Sequence, residues 1–288
     1  MPGRVFILIF DSIRLLLCAN TWRHTCCLAL LGGQLLAVQS ADAGGSFDLK
    51  MEIDGTRRVA KVFENDDPSD LPLPLVFAFH GYDDNRTNFS RYVDLHRSWP
   101  GAIIVYPQGL QMPDRKGTLR AKGWQTSQGM LDDRDLHYVD ALLEDLSHRY
   151  SIDVQRVYAT GMSNGARFVF LLMSERPERF AAFAPVAIAA TSQVLGNLNV
   201  PRPVLYMIGR NEPQWRLEAA SLTVEAITRV NRSTGEKEDW AENFILFKPA
   251  EGGADFIFNL HRAGHVWPFN ASKLIMRFFQ QHELSGNG

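Results

Sequence analysis

The residues with the clearest chemical potential form the pattern Gly161-Met-Ser163-Asn-Gly165. A short strand-forming stretch, 157–159, precedes it, and the apolar run 168–173, which can begin a helix, follows it. A serine flanked by glycines two positions away, between a strand and a helix, is typical of a sharp turn that presents a nucleophilic hydroxyl. A glycine-rich loop with a capping serine would show the same letters, so the prediction of Ser163 as a nucleophile depends on its partners.

A serine hydroxyl needs a base to take its proton, and histidine is the usual base because its pKa lies near neutrality. In enzymes built around such a turn, the chain order is Ser, then Asp or Glu, then His. Three histidines follow Ser163: His261, His265 and His282. We predict His265 as the base because it lies in a turn-rich segment between the last predicted strand and the last predicted helix. His261 remains the alternative, and His282 is predicted to be a cation at a helix end.

Glu212 is the only carboxylate in the segment 209–213, which follows the predicted strand 203–208. We predict that it accepts a hydrogen bond from the ring of His265 and thereby fixes its tautomer. The alternative for Glu212 is a solvated loop residue, and the rival acids are Asp239 and Asp255. Asp239 lies in a charged run typical of a solvated surface, and Asp255 opens a strand, which places it at the wrong end of a sheet.

A tetrahedral intermediate also needs backbone donors for its negatively charged oxygen. We predict the amide N–H groups of Asn164, which follows the nucleophile, and of Tyr82, in the loop after the apolar run 75–79. His80 is expected to shape that loop through hydrogen bonds rather than to transfer protons. Trp124 and Trp267 are candidates for lining the site and stacking an aromatic acyl group, with ordinary packing as the alternative.

Strands that alternate with helices predict an α/β fold with a mostly parallel sheet covered on both faces. An edge hairpin is predicted over 46–62, and the segment 110–129 is predicted to be a surface loop. Further strands are predicted at 75–79, 102–106, 183–188, 203–208, 244–247 and 255–258, and helices at 135–150, 217–230 and 272–282. In such sheets ligands bind beyond the carboxyl ends of the strands, where Ser163 and its proposed partners would meet.

The composition is that of a globular protein, with 45% hydrophobic and 22% charged residues and a net charge of -2, which argues against nucleic acid as a partner. Residues 1–43 differ: a positive flank, the apolar run 26–38 and the segment Ala41-Asp-Ala43 predict a long secretory signal peptide, with an uncleaved anchor as the alternative. Cleavage after Ala43 would leave one catalytic domain, 44–288. All three cysteines lie in the leader, so the mature chain would have no thiol or cysteine–metal chemistry.

Five segments together resemble the secreted poly(3-hydroxybutyrate) depolymerase and feruloyl esterase family: His80-Gly81, the sequence VYPQG at 105–109, Gly123-Trp124, the stretch 153–166, and GHVWP at 264–268. The resemblance implies an α/β-hydrolase fold and hydrolysis of carboxylic esters without a cofactor or metal. It implies a secreted enzyme, which we expect to be a monomer without stable membrane association, acting on small or oligomeric esters.

The chain departs from the family pattern at Glu212, where aspartate is usual, and at Ala166, where glycine is common. We find no linker and extra binding domain of the kind that depolymerases of solid polymer carry, which favours soluble esters or oligomers. Two other functions remain open at this point: a peptidase on the same scaffold, and a non-catalytic binding protein with a relic site.

Overall fold

One ten-stranded sheet organises the part of the chain that the computed structural model describes, residues 45–64, 71–113 and 117–284. The predicted leader lies outside these residues. In chain order the strands are β1 (Ser46–Ile53), β2 (Thr56–Phe63), β3 (Leu73–Phe79), β4 (Ile103–Pro107), β5 (Leu110–Pro113), β6 (Leu119–Gly123), β7 (Ile152–Met162), β8 (Ala182–Val186), β9 (Val204–Gly209), β10 (Ser233–Ala241), β11 (Phe244–Pro249) and β12 (Phe256–His261).

The order across the large sheet is β1-β2-β4-β3-β7-β8-β9-β12-β11-β10. Six strands that follow one another in this order, β4-β3-β7-β8-β9-β12, run parallel. Two further strands with antiparallel pairing extend the sheet at each side, β2 and β1 next to β4, and β11 and β10 next to β12. The inner strands are continuous apolar runs because both of their faces are covered. The charged strand β10 lies at an edge, where its side chains remain in water and discourage pairing with another chain.

The helices cover both faces of the sheet. They are α1 (Arg86–Val93), α2 (Leu95–Ser98), α3 (Arg134–Arg149), α4 (Asn164–Glu175), α5 (Ser192–Asn197), α6 (Gln214–Val230) and α7 (Ala271–Phe279). Side chains alternate along β3: Val76 and Ala78 join a core with residues of α1, α2 and α7, whereas the ring of Phe79 meets that of Phe168 on α4 at 5.0 Å. The predicted mixed α/β architecture and the long helices α3, α6 and α7 are therefore confirmed.

The segment 110–129 is not the plain surface loop that its polar, glycine-rich composition predicts. Strands β5 and β6 form a separate antiparallel hairpin within it. Behind the hairpin, Trp124 is fully buried, and its ring stacks on Phe168 at a centroid distance of 5.4 Å. This buried aromatic anchors the segment to α4, so that the hairpin lies beside the turn that carries Ser163.

Among the described residues, none of the helices combines the length and the hydrophobicity needed to cross a membrane.

Candidate active site

Ser163 lies at the junction between β7, in the middle of the sheet, and α4. Its backbone has φ 54° and ψ −118°, a conformation that residues other than glycine rarely adopt. The surrounding hydrogen bonds maintain it, since the Ser163 amide donates to the carbonyl of Val186 on β8 at 2.9 Å. Strain of this kind at a strand-to-helix turn is typical of a functional position.

The two glycines of the pattern are required by close backbone approach. A Cβ atom at Gly165 would lie 2.2 Å from the carbonyl oxygen of Phe79, and one at Gly161 would lie 2.8 Å from the same oxygen. Any side chain at either position would push the turn away from β3. The sequence therefore has glycine where α4 must start directly against the sheet.

Hydrogen bonds join Ser163, His265 and Glu212 into one chain. His265 Nε2 lies 2.8 Å from Ser163 Oγ, and His265 Nδ1 lies 2.7 Å from Glu212 Oε1. The glutamate side chain is 1% exposed, whereas that of the histidine is 32% exposed. The buried carboxylate accepts from Nδ1–H, which leaves Nε2 free to accept the proton of the serine hydroxyl.

Two loops that are tied together position the acid and the base. Glu212 follows β9, and His265 lies between β12 and α7. The backbone amide of Arg210 donates to the backbone carbonyl of His261 at 2.8 Å, and the side-chain amide of Asn211 donates to the backbone carbonyl of Arg262 at 2.8 Å. Since β9 and β12 are parallel neighbours, both loops leave the same edge of the sheet as Ser163.

Arg216 is a member of the site that the sequence analysis missed. Its Nη1 atom donates to Glu212 Oε2 at 2.8 Å, so both oxygens of the carboxylate are occupied. The same Nη1 lies 3.0 Å from His265 Nδ1; both atoms carry hydrogen when Nδ1–H donates to the carboxylate, so this is a contact rather than a hydrogen bond. The available signal was the spacing, because an acidic residue four positions before an arginine at a helix start favours an ion pair.

The predicted oxyanion loop lies next to the serine. A side-chain carbon at Gly81 would be 3.7 Å from Ser163 Cβ. His80 Nδ1 lies 2.7 Å from the carbonyl oxygen of Gly81, and its Nε2 accepts from the amide of Gly109 at 3.0 Å. Burial lowers the pKa of His80, so the ring is neutral and donates from Nδ1.

This arrangement fixes the direction of the Tyr82 amide. In a trans peptide the C=O and N–H groups point in opposite directions, so the bond from His80 to the Gly81 carbonyl also orients the Tyr82 N–H. Within the described residues, no hydrogen bond engages the amide N–H of Tyr82 or of Asn164. Both remain available as the donor pair that we predicted.

The expectation that Trp124 lines the site is wrong. Its side chain is 0% exposed, its Nε1–H donates to the carbonyl of His80 at 3.0 Å, and its backbone binds the side-chain amide of Asn164 in both directions. Trp267 is 7% exposed, and its Nε1–H donates to Ser272 at 3.0 Å, so its ring also serves mainly to pack the core. In both residues the one polar atom of the indole finds its partner inside the protein, which favours burial.

Other apolar side chains near the site are exposed instead. Tyr82 is 55% exposed, Trp215 58%, Val266 37% and Phe269 99%. Tyr82 directly follows Gly81, Trp215 lies three residues after Glu212, and Val266 and Phe269 lie one and four residues after His265. The centroid of the Trp215 ring lies 5.0 Å from the guanidinium carbon of Arg216. Exposure of this kind depends on the tertiary fold, so sequence patterns gave no signal for it.

The rival catalytic groups lie elsewhere or are engaged differently. Asp255 lies before β12, at its amino end, where His282 Nε2 is 3.1 Å away, and Asp239 lies on the exposed edge strand β10. His261 ends β12 near Glu212, but its Nε2 is buried without a hydrogen-bond partner. Burial lowers the pKa of His261, and the charge of Glu212 opposes that effect.

Comparison with known proteins gives a consistent result for the fold. No protein-family model matches the chain. It is 28% identical over 148 residues to a bifunctional acetylxylan esterase/xylanase of Neocallimastix patriciarum, covering 48% of this chain and 19% of that protein. It is also 28% identical over 170 residues to feruloyl esterase C of Emericella nidulans, covering 56% of this chain and 57% of that protein. The chain thus spans less than two thirds of the length of these curated relatives.

Among solved structures, the acetyl xylan esterase from Aspergillus awamori matches with a TM-score of 0.62 at 15% identity, covering 82% of this chain and 99% of that one. At this identity the likeness concerns the fold alone. The chain has the α/β-hydrolase fold, and its sequence is similar to acetylxylan and feruloyl esterases.

Proposed function

We propose that this protein is a serine hydrolase of carboxylic esters, with Ser163 as nucleophile, His265 as general base and acid, and Glu212 as the acid of the triad. The observation that carries the proposal is the unbroken hydrogen-bond chain from Ser163 Oγ through the His265 ring to the buried Glu212 carboxylate, with heavy-atom distances of 2.8 and 2.7 Å. A glutamate in this position is compatible with triad chemistry, because it needs only to accept from Nδ1–H and stabilise the imidazolium.

The proposed reaction has two half-reactions. His265 Nε2 takes the hydroxyl proton as Ser163 Oγ attacks the ester carbonyl carbon, and the amides of Tyr82 and Asn164 stabilise the resulting oxyanion. The bond to the alcohol then breaks, and the alcohol leaves with the proton from His265. Water repeats the sequence on the acyl-enzyme, releasing the carboxylic acid and restoring the serine.

Acyl esters on polysaccharide side chains, acetyl or feruloyl, are the substrate class that we propose. The names of the two curated relatives support this class, since they describe an acetylxylan esterase/xylanase and a feruloyl esterase. The exposed rings of Tyr82, Trp215 and Phe269 support it as well, because each lies within four residues of Gly81, Glu212 or His265, and exposed aromatic side chains can stack on an aromatic acyl group or a sugar ring. Hydroxyalkanoate esters are the second class implied by the family resemblance.

Labelling with a fluorophosphonate tests the nucleophile, and an ester panel tests the substrate. We expect wild-type protein to be labelled and Ser163→Ala not to be; a labelled Ser163→Ala variant would contradict the assignment. The panel contains methyl ferulate, acetylated xylan, hydroxybutyrate oligomers and a peptide anilide. Release of hydroxybutyrate but neither ferulate nor acetate would move the substrate to polyesters, and cleavage of the anilide alone would make the protein a peptidase.

We further infer that the protein is secreted. The support is the predicted leader, residues 1–43, with its positive flank, apolar run and small-residue cleavage site. Expression with the leader and sequencing of the amino terminus of the exported protein should show a start at Gly44. Retention of the leader on membrane-bound protein would favour the alternative, an uncleaved anchor.

A further inference from the structure

Arg167 is a second arginine close to the catalytic serine. It lies four residues after Ser163, in the first turn of α4, and its amide donates to the Ser163 carbonyl at 3.1 Å. Long helical side chains lean towards the amino end, so the guanidinium extends towards the end of α4 that carries Ser163.

Arg167 has no counter-ion in the described part of the chain. Neither a hydrogen bond nor a salt bridge engages its side chain there, and its Nε atom is buried without a partner. Other buried or half-buried arginines have at least one acceptor, since Arg58 pairs with Asp135, Arg176 pairs with Asp140, and Arg202 donates to the carbonyl of Pro177. Leaving polar atoms of a cation buried and unpaired is costly, so this arrangement needs an explanation other than stability.

The neighbouring charge increases that cost. Burial, and after it the positive charge of Arg216, lower the pKa of Arg167, and a guanidinium remains charged in spite of such shifts. Glu212, the acid beside Arg216, cannot compensate, because both of its oxygens are already engaged by His265 and Arg216. Arg216 itself has a buried Nε without a partner. The chain as a whole has a net charge of -2, so this local excess of positive charge is not a general property of its surface.

We infer that Arg167, supported by Arg216, forms a subsite for a substrate carboxylate beside Ser163, so that the preferred esters carry a free carboxylate close to the scissile bond. This inference rests on the proposed function and narrows it. A planar guanidinium matches a carboxylate through two parallel hydrogen bonds, and a bound carboxylate would supply acceptors for the terminal nitrogens of Arg167, which no described group engages, and reduce the repulsion between the two arginines.

Two sources share this chemistry: a uronic acid that bears or adjoins an acyl group, and the free carboxyl end of a hydroxy acid oligomer. Matched ester pairs that differ only in charge separate them. Each pair consists of an ester with a free carboxylate and the same ester with a neutral carboxamide in its place. The carboxylate members are an acetylated methyl glycoside of glucuronic acid for the first source and 3-acetoxybutyrate for the second. Monomethyl glutarate, the third, carries its charge on the acyl side. The measured quantity is the ratio of kcat/KM for the charged ester to that for the neutral ester.

For at least one pair we expect wild-type protein to favour the charged ester by about tenfold, since hydrogen bonds to charged groups commonly contribute this much. The ratio should fall to about one in Arg167→Gln and stay at its wild-type value in Arg229→Gln, an exposed arginine at the far end of α6. A ratio near one for all three pairs in the wild type, or a high ratio that Arg167→Gln leaves unchanged, overturns the inference.

Binding without turnover makes the test independent of the reaction. Ligand-observed NMR titration of Ser163→Ala with each carboxylate of the three pairs should show saturable binding for at least one of them. Adding Arg167→Gln should abolish that binding, and the carboxamides should not bind detectably; binding that survives in the double variant refutes the subsite. If wild type hydrolyses none of the esters but Ser163→Ala binds the carboxylate through Arg167, the proposed function fails while the subsite stands.

Discussion

Replacing Glu212 with glutamine tests the least expected member of the proposed triad with almost no change of shape. In the wild type, each carboxylate oxygen faces one donor: Oε1 faces His265 Nδ1 at 2.7 Å, and Oε2 faces Arg216 Nη1 at 2.8 Å. Glutamine has a single acceptor oxygen and an NH₂ group, so it can satisfy only one of these donors. The charge-assisted bond to Arg216 is the stronger, and the oxygen should therefore turn towards the arginine.

The consequence is a histidine in the wrong tautomer. With the glutamine NH₂ facing Nδ1, that nitrogen must become an acceptor, and the proton moves to Nε2, which can then no longer take the proton of Ser163. We expect kcat to fall by about 10³- to 10⁴-fold, or about 4–5.5 kcal/mol of activation free energy, with a smaller effect on KM. Steady-state hydrolysis of a 4-nitrophenyl ester measures this loss, and Glu218→Gln, an exposed glutamate on α6, is the matched control that should retain wild-type kcat.

A double variant tests the reasoning itself. Removing the competing donor with Arg216→Met lets the glutamine oxygen turn back to Nδ1–H, so Glu212→Gln/Arg216→Met should be more active than Glu212→Gln alone. Near-wild-type kcat in Glu212→Gln would remove Glu212 from the triad. Losses that simply multiply in the double variant would refute the competition between the two donors.

Three other perturbations follow from the structure. Gly165→Ala should destabilise the fold by about 3 kcal/mol in thermal unfolding, because its Cβ would lie 2.2 Å from the carbonyl oxygen of Phe79. The matched control Gly81→Ala, whose Cβ would lie 3.7 Å from its nearest neighbour, should unfold like the wild type. Equal stabilities of the two variants would refute the steric argument. The folded-state pKa of His80 lies below its ordinary value of 6.5, so the unfolded chain binds more protons near and below that pH. The free energy of unfolding should therefore fall as the pH drops from about 7.5 to about 5.5. The variant His80→Gln should show a flatter pH dependence, and an unchanged slope would contradict the role of His80. Arg58→Ala should cost about 3 kcal/mol, since it removes the cation 2.8 Å from the fully buried Asp135 and leaves only Arg134 Nε at 3.8 Å. A loss below about 1 kcal/mol in denaturant unfolding would show that Arg134 compensates the carboxylate.

The parts of the fold that sequence predicted best are those where a single periodicity dominates. Strands such as β3 and β4 are uninterrupted apolar runs, and α3 has a regular apolar stripe, so burial and local pattern agree. The β5–β6 hairpin escaped prediction because its polar residues give no alternation, and its position depends on Trp124, which packs against a helix that begins 40 residues later. Strand β10 escaped because charged residues at a sheet edge resemble any solvated surface.

The same division holds for the site. Chain order and strand ends were sufficient to select Ser163, His265 and Glu212, which the structure then brings within hydrogen-bond distance. Arg167 required coordinates, because an arginine near such a turn differs from a surface arginine only in whether an acceptor is in reach, whereas the spacing of Arg216 to Glu212 was a signal in the sequence. Trp124 shows the reverse error: an aromatic residue in a motif suggested substrate contact, although its ring is needed for packing.

The glutamate itself explains why Arg216 is present. Glutamate has one more rotatable bond than the aspartate that the family resemblance implies, and ordering such a long side chain costs up to about 2 kcal/mol of rotamer entropy. In this protein the side chain is 1% exposed, and Arg216 engages the oxygen that His265 does not use, so the longer acid is held in one orientation. An aspartate on a shorter stem would need this restraint less. Arg216 therefore holds the proposed triad acid in one orientation, and its charge is balanced by that acid, so the guanidinium left without a counter-ion among the described residues is that of Arg167.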